Sequence, residues 1–532
     1  MLPVVKINLK IIGFVLPLLL LMFLLVGSFI SKPKFNLKNK FLSNLSLESR
    51  CPDCNIILID IDLLRADSLP CYGYKLDTSP NICELAKTSI FFKDNYAQST
   101  WTLPSAFSTA TSLYPSFHKI ENSFIDVLPA NGPTTLAETL QNAGYQTALV
   151  GGNNNASFLA TVNGGDRGFD HTQDTPLNEL IPKLAKDPKP WFIHYYIGAL
   201  HMPYVLEANE KPISELKNPG KIPTTELDFD RILNIYLKKH YREIFKPKTV
   251  EKYAKMILAP EQTDDISVTI LFRKLFSESQ TPDEYLFDYW RPIYLAYMEY
   301  FDTKSPEARE YVKMLYDSRI TGVDLQIGNI INLLKQNNVD KKTIVVIMSD
   351  HGESFGEHGI FNHDPDHHTE LFFTPLIVKL PNSSGIVFEK PSSNLDIFPT
   401  LVDLVNVNIP TGLQGISLLP YLNQQEELNR DFIMSENPLG EIILQNRDWL
   451  YYLPSNASQK GQDFLYHKQS DPTEAINVAN QNPDLISKLY KQASLLQSYF
   501  KMNRSNSAKL LETPKIKLNS EKADRMKKEG YF

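Results

Sequence analysis

The stretch NIILIDID, residues 55–62, decides the fold. It is a short apolar run that ends in acidic residues, the pattern of a central parallel strand. Later runs repeat it, YQTALVGG, PWFIHYYIGA, TIVVIMSD and PLIVKLP, with helix-like segments between them. Strand and helix in alternation predict an α/β sheet. In such sheets ligands sit outside the carboxyl ends of the strands, so the polar residues at those ends are the ones to examine.

Before the first strand, CPDC carries Cys51 and Cys54, and Cys71 and Cys83 follow it. The C-x2-C-x16-C-x11-C spacing lacks the paired second knuckle of a zinc ribbon. A local Cys51–Cys54 disulfide is expected for a domain outside the cytoplasm. Further upstream, residues 32–54 are polar and read as a stalk. Residues 11–30, IIGFVLPLLLLMFLLVGSFI, are uncharged and long enough to cross a bilayer core. No Ala-x-Ala-like cleavage site follows, so an uncleaved, single-pass anchor is expected. Lysines flank it on both sides, and the positive-inside rule leaves its orientation open.

Downstream, residues 205–310 break the alternation with a Tyr/Phe/Lys/Glu-rich helical insertion, read equally as a cover over the site or as a packed side layer. LDIFPTLVDLV (395–405) is an amphipathic helix, EIILQ and DWLYYLP read as short strands, and a last helix is expected near 483–500. The basic tail, 501–532, reads as a solvated end. A chain of 532 residues with 42% hydrophobic residues and a net charge of −7 is ordinary globular material. It lacks the basic surface of a nucleic-acid binder.

Asp62 closes the first strand, and Asp350 and His351 close TIVVIMSDHGES. Two strand ends of one parallel sheet bring two carboxylates and an imidazole to a common edge. They stay repelled or unpaired unless a positive group sits among them, and a divalent metal meets that need. A single Asp at a strand end is more often a cap; the Asp-His-Gly-Glu cluster shifts that balance. Thr102, in STWTLPSAFSTATSLYP (99–115), stands where a loop enters a helix whose N-terminus favours an anion. The plainer alternative makes Thr102 an N-cap with Pro104 in the first turn, and the two readings are compatible. His201 in HMPY follows a strand, and His363 in FNHDPDHHTELFFTP precedes one. Both are candidates to grip an oxyanion or protonate a leaving oxygen.

Six ordered motifs, NIILIDIDLLRADSLPCYGY, SPNICELAKTSIFFKDNYAQSTWTLPS, SDHGESFGEHG, LDIFPTLVDLV, LQGISLLPYL and LYHKQSDPTEAINVANQNPDLISKL, resemble the sulfatase family of the alkaline phosphatase superfamily. The likeness runs from about residue 55 to 490. It implies an α/β, alkaline-phosphatase-like sandwich with a large central mixed sheet between helices and a small C-terminal sheet subdomain. Together with the segments read above, the expected layout is a membrane segment (1–31), stalk (32–54), catalytic domain (55–425, with the insertion at about 205–310), subdomain (426–500) and basic tail (501–532). It also implies sulfate or phosphate ester substrates, lipid- or glycan-borne ones included. Asp62, Asp350 and His351 match metal ligands, Thr102 matches the nucleophile and itself reaches the metal, and His201 and His363 match substrate-binding histidines. Family members mostly act outside the cytoplasm, which points the domain to the periplasm or cell exterior.

The departures from the family pattern are specific. Thr102-Leu-Pro-Ser-Ala106 replaces a C/S-x-P-x-R signature, and threonine is not matured to formylglycine. Ala106 replaces the arginine, Gly152 and Asn154 replace a Lys-x-His, and Leu63 replaces a second aspartate; Asp60, on the same strand face as Asp62, reads equally as its replacement or as a buried acid without a ligand role. An imidazole in the ligand set favours zinc or manganese over calcium. The expected activity is a metal-dependent ester hydrolase in which Thr102 attacks directly, with phosphoryl esters favoured. The alternatives are a phospholipid head-group transferase and a catalytically degenerate domain that binds a metal or an anion.

Overall fold

The computed structural model describes residues 50–121, 126–151, 163–172, 175–207, 210–219, 222–244, 291–363, 365–381, 385–423, 425–454 and 463–507. The expected membrane segment at 11–30, most of the stalk, the end of the tail, and Gly152 and Asn154 lie outside the described residues. Among the described residues no helix is long and apolar enough to cross a membrane.

NIILIDI forms β1 (Asn55–Ile61), buried along its whole length. Its side chains alternate between two cores, Ile57, Ile59 and Ile61 in one and Ile56 and Leu58 in the other. Each fully buried Ile or Leu contributes roughly 1.5–3 kcal/mol. The other strands of the sheet are β2 (Ile90–Phe92), β3 (Gln146–Gly151), β4 (His171–Thr172), β5 (Trp191–Ile197), β6 (Thr343–Met348), β7 (Leu376–Lys379) and β8 (Ile386–Phe388). Their order is β8-β2-β7-β6-β1-β5-β3-β4. The run β4-β3-β5-β1-β6 is parallel. PLIVKLP supplies β7, antiparallel to both β6 and β2, and makes the sheet mixed.

Among the described residues, the helices of seven residues or more are α1 (Pro80–Ala86), α2 (Thr102–Thr111), α3 (Leu136–Asn142), α4 (Leu177–Leu184), α5 (Glu226–Ile244), α6 (Arg291–Tyr300), α7 (Pro306–Gln336), α8 (Ile397–Leu404) and α9 (Pro483–Ser507). On one face of the sheet lie α1, α4, α5, α6 and α7. On the other, α3 and α8 bury their apolar stripes. Helix α7 begins at Ser305, which accepts from Ala308 N–H, with Pro306 in its first turn. Its buried Asp324 in turn accepts from Asn81 and Ile82 N–H and satisfies the start of α1.

Within the insertion, α5 and α6 form a packed side layer: Phe229, Leu233, Leu237 and Tyr297 belong to the main core. The C-terminal sheet is antiparallel, β9 (Ile433–Glu436), β10 (Ile442–Gln445), β11 (Trp449–Leu453) and β12 (Phe464–His467). One of its faces packs on Leu489 and Ala493 of α9, and the other on Tyr96, Leu371 and Phe372 of the main domain. Helix α9 continues to Ser507, past the boundary at 500 expected from loss of apolar period. The cysteines pair as Cys51–Cys54 and Cys71–Cys83, so all four are committed to disulfides.

Candidate active site

Asp62 follows β1 directly, and Asp350 and His351 follow β6, its parallel neighbour. Parallel pairing in register delivers all three to one sheet edge, where they are almost wholly buried. His351 Nε2 lies 3.7 Å from Asp62 Oδ1 and 3.6 Å from Asp350 Oδ2. The other nitrogen of that ring, Nδ1, is 2.8 Å from the Gly352 carbonyl. A carbonyl only accepts, so Nδ1 carries the proton and Nε2 presents its lone pair to the cluster.

Thr102 is the first residue of α2, behind the extended N-cap Trp101, and does not itself cap the helix. Its side chain is therefore available to the cluster, with Oγ1 3.0 Å from His351 Nε2 and 3.5 Å from Asp62 Oδ1. Pro104 sits within the first turn, where a missing N–H costs nothing. The positive end of α2 thus points at the carboxylates. Trp101 Nε1 donates to the His363 carbonyl at 3.2 Å and ties the Thr102 turn to the segment that carries His363.

His201 and His363 reach the same place. The rings of His351 and His363 are 5.0 Å apart, and those of His201 and His363 are 5.2 Å apart. His201 enters through the turn after β5, where the Met202–Pro203 bond is cis. Its Nδ1 is 3.1 Å from the Met202 carbonyl, and burial, reinforced by His363, pushes its pKa down to about 3.

The charge balance of the cluster fits a cation. Burial pushes the Asp62 carboxyl up to about 7, against the pull of the Tyr196 hydroxyl and His363. Burial and the charges of Asp62 and Asp60 hold Asp350 well above the carboxylate range, while burial and His363 hold His351 well below the ordinary imidazole. Asp350 Oδ1 accepts from the His351 and Leu63 N–H groups at 2.9 and 3.4 Å. Among the described residues its Oδ2 has no hydrogen-bond partner although buried. Two buried carboxylates, one with an orphaned oxygen, and an imidazole with an outward lone pair form a donor set for a divalent ion, and their ligand atoms lie within 4.8 Å of one another.

Of the two readings of Asp60, the structure fits the acid without a ligand role, since it does not join them. It faces the same side of β1 as Leu58, and its Oδ2 is 3.5 Å from His194 Nε2 on β5. Leu63, in place of a second aspartate, adopts a left-handed φ of 63°. That conformation strains a bulky side chain. It is held by Tyr316 of α7, whose hydroxyl donates to Leu63 O at 2.7 Å and accepts from Arg65 N–H at 3.1 Å. Asp62 leaves β1 at an angle fixed from behind.

Sequence reasoning missed the residues that aim these groups. Glu353 is fully buried, with Oε1 3.4 Å from His363 Nδ1 and Oε2 accepting from the Tyr204 hydroxyl at 2.5 Å. Tyr204 rests against Tyr297 of α6, Tyr316 of α7 and Phe355. Glu353 stands inside the quoted SDHGES, and an acid two residues beyond His351 was a legible signal. Tyr196 shares a strand face with His194 by period two in WFIHYYI.

An α/β sandwich with a buried acid–imidazole cluster, a hydroxyl and two further histidines at its sheet edge is an arrangement suited to ester hydrolysis. The sulfatase family model matches residues 54–407, and the chain belongs to the sulfatase family. It is similar to the arylsulfatase of Clostridium perfringens, 23% identical across 80% of this chain and 90% of the relative. It is similar to the N-acetylglucosamine-6-O-sulfatase of Bacteroides thetaiotaomicron, 24% identical across 71% and 72%. Among solved structures, the phosphonate monoester hydrolase of Agrobacterium radiobacter shares the fold with a TM-score of 0.57 and 18% identity, over 88% of this chain and 100% of that one. The protein is a sulfatase-family hydrolase.

Proposed function

We propose that this protein cleaves phosphoryl esters with Thr102 as a direct nucleophile, from a domain anchored to the outer face of a membrane. The observation that carries this reading is the position of Thr102 Oγ1, within 3.5 Å of both Asp62 and His351. Asp62, Asp350, His351 and Thr102 would hold a divalent cation, zinc or manganese rather than calcium because of the imidazole. Such an ion supplies Lewis acidity that lowers the pKa of a hydroxyl.

The chain's own residues account for the remaining steps. The α2 N-terminus and the His201 and His363 rings receive the non-bridging oxygens of the substrate. An anion beside His201 favours its charged form and so readies Nε2 to donate a proton. Thr102 Oγ1 gives its proton to Asp62 Oδ1, its hydrogen-bond acceptor, and forms a bond to phosphorus as the bond to the leaving oxygen breaks, and that oxygen takes a proton from a histidine. Water then displaces Thr102 and releases phosphate. Phosphoryl over sulfuryl esters is favoured because Thr102 cannot become formylglycine and must attack as a hydroxyl. Relatives named for sulfated glycans make a glycan-borne ester a reasonable carrier. The two disulfides support a location outside the reducing cytoplasm.

The test is a panel of aryl sulfate, phosphate monoester, phosphate diester and phosphonate substrates, with zinc or manganese, on the full chain in detergent. Wild type should prefer a phosphorus ester, and Thr102→Ala should be inactive on all four. Turnover that survives Thr102→Ala removes the nucleophile assignment, and a preference for aryl sulfate removes the phosphoryl one.

A further inference from the structure

His201 leaves β5 through a turn, Gly198-Ala199-Leu200-His201, closed by the His201 N–H on the Gly198 carbonyl at 3.3 Å. The central peptide of such a turn is its least determined part, since turn types I and II differ by the reversal of that one peptide. Its carbonyl here is Ala199 O, and α7 holds it. Arg319 Nε and Nη2 both donate to Ala199 O, at 3.2 and 3.1 Å. We propose that Arg319 is a positioning residue for His201: it fixes the turn and thereby the place of the ring that meets the substrate. The proposal rests on the role given to His201 above.

Arg319 can fix a turn because it is itself fixed. It is only 8% exposed, and its remaining donors are taken by carboxylates of the same loop, Nη1 by Glu210 Oε2 at 2.7 Å and Nη2 by Glu207 Oε1 at 3.0 Å. Those acids compensate a buried charge that would otherwise be costly. The guanidinium is a planar fork with five donors, whereas the single nitrogen of a lysine cannot span one carbonyl and two carboxylates. Glu210 is seated in turn. Its Oε2 accepts the Glu207 N–H at 2.9 Å, and its Oε1 lies against Gly322, where any side chain would collide with it.

The helix grips the same segment further along. Ser318 Oγ accepts the Ile213 N–H at 2.9 Å, and the Tyr311 and Thr224 hydroxyls are 2.8 Å apart. On the other side of His201, the Tyr204 hydroxyl donates to Glu353. The ring is therefore anchored before and after. Glu353 also stands beside His363, but the hydrogen bonds of Arg319 all end on residues 199–210, so its effect reaches the site through His201.

A double-mutant cycle tests this, because a positioning residue loses its effect once the residue it positions is gone. Wild type, Arg319→Leu, His201→Asn and the pair are compared as full chain in detergent, by kcat/KM on the preferred ester and by Kd for inorganic phosphate. A misplacement of about 1 Å costs about 10²-fold. Arg319→Leu should accordingly lower kcat/KM by about 10- to 100-fold and weaken phosphate by about 3- to 10-fold, with no further loss when added to His201→Asn. Arg319→Lys should recover part of both losses. Should Arg319→Leu fail to fold, Gly322→Ala takes its place in the cycle: it displaces the Glu210 carboxylate and keeps the guanidinium, and should cost about 3- to 10-fold in kcat/KM in wild type and nothing in His201→Asn. Losses that multiply in the pair, or an Arg319→Leu variant as active as wild type beside an impaired His201→Asn, overturn the proposal alone. Wild-type turnover and phosphate binding in His201→Asn overturn the role of His201, and the proposal with it.

Discussion

The two acid–imidazole clusters are built from the same residue types and differ in what their hydrogen bonds leave over. At the sheet edge, His351 gives its Nδ1 proton to a neutral backbone carbonyl, and Asp350 keeps Oδ2 unbonded beside a hydroxyl at a helix N-terminus. In the His358, His368 and Glu474 cluster, His368 gives its proton to a carboxylate, and the neighbouring hydroxyl of Thr369 is spent on Glu474. The first arrangement holds a hydroxyl among donors and so can do chemistry. The second spends its imidazole proton and its hydroxyl on carboxylates. Composition is shared; the partner of each spare atom sets the two clusters apart.

The largest test of that difference is turnover. Asp350→Asn removes one of the carboxylates proposed to hold the cation and should lower kcat/KM by about 10³-fold or more. His358→Gln should change it by less than about 3-fold with metal in excess, because no atom of His358 reaches the reacting groups. Steady-state kinetics on the preferred phosphoryl ester measures both. Equal losses would erase the distinction.

Much of the first cluster was readable in advance because each of its members ends a strand or begins a helix. Asp62, Asp350 and His351 are marked by the apolar runs before them, and Thr102 by Leu-Pro-Ser after it. Parallel pairing converts those sequence marks into one place. The second cluster has no such mark: His358 and His368 lie in a segment of short elements, and Glu474 meets them only because the C-terminal sheet packs on Tyr96, Leu371 and Phe372. Long-range packing of that kind leaves no local period in the chain. The same holds for Asp60, whose position two residues before Asp62 suggested a ligand, while its register opposite Tyr196 turns it toward His194.

Glu353 offers the next largest effect, because it aims His363 without touching substrate. Tyr204→Phe deletes the 2.5 Å hydrogen bond to Glu353 and keeps the ring packed among Tyr297, Tyr316 and Phe355. Loss of an orienting partner costs about 10–100-fold. The loss should fall mainly on kcat and should reshape the limb of the pH–rate profile that reports the histidines. An unchanged profile with only a lower melting temperature would make Tyr204 a packing residue.

His118 separates burial from charge. It is as buried as His351 but has no carboxylate partner: its Nε2 is 3.1 Å from Ser108 Oγ, and its Nδ1 accepts from Ile120 N–H at 3.1 Å. Burial pushes its pKa down to about 3. The folded ring stays neutral where the unfolded one, near 6.5, takes a proton. Its contribution is therefore complete above pH 6.5 and is lost as the pH falls toward 3, by about 2 kcal/mol between pH 7 and pH 5. Urea unfolding at the two pH values should show that slope in wild type and a shallower one in His118→Gln. Identical slopes would mean that this site accommodates the proton.

The smallest effect concerns the backbone behind Asp62. Leu63 keeps its left-handed φ because α7 places Tyr316 where its hydroxyl can serve both Leu63 O and Arg65 N–H. Tyr316→Phe leaves those two buried groups unpaired at a cost of about 1–3 kcal/mol in stability. The ring still fills its space, so the fold survives and the turn gains freedom. Asp62 sits one residue before the released carbonyl, and its carboxylate should then sample positions that hold the cation less well. The expected outcome is a zinc affinity and a kcat/KM each lowered by about 3- to 10-fold, with KM little changed. An equal loss of stability with metal affinity intact would show that Asp62 is held by β1 alone, and that the strained turn serves folding and not the site.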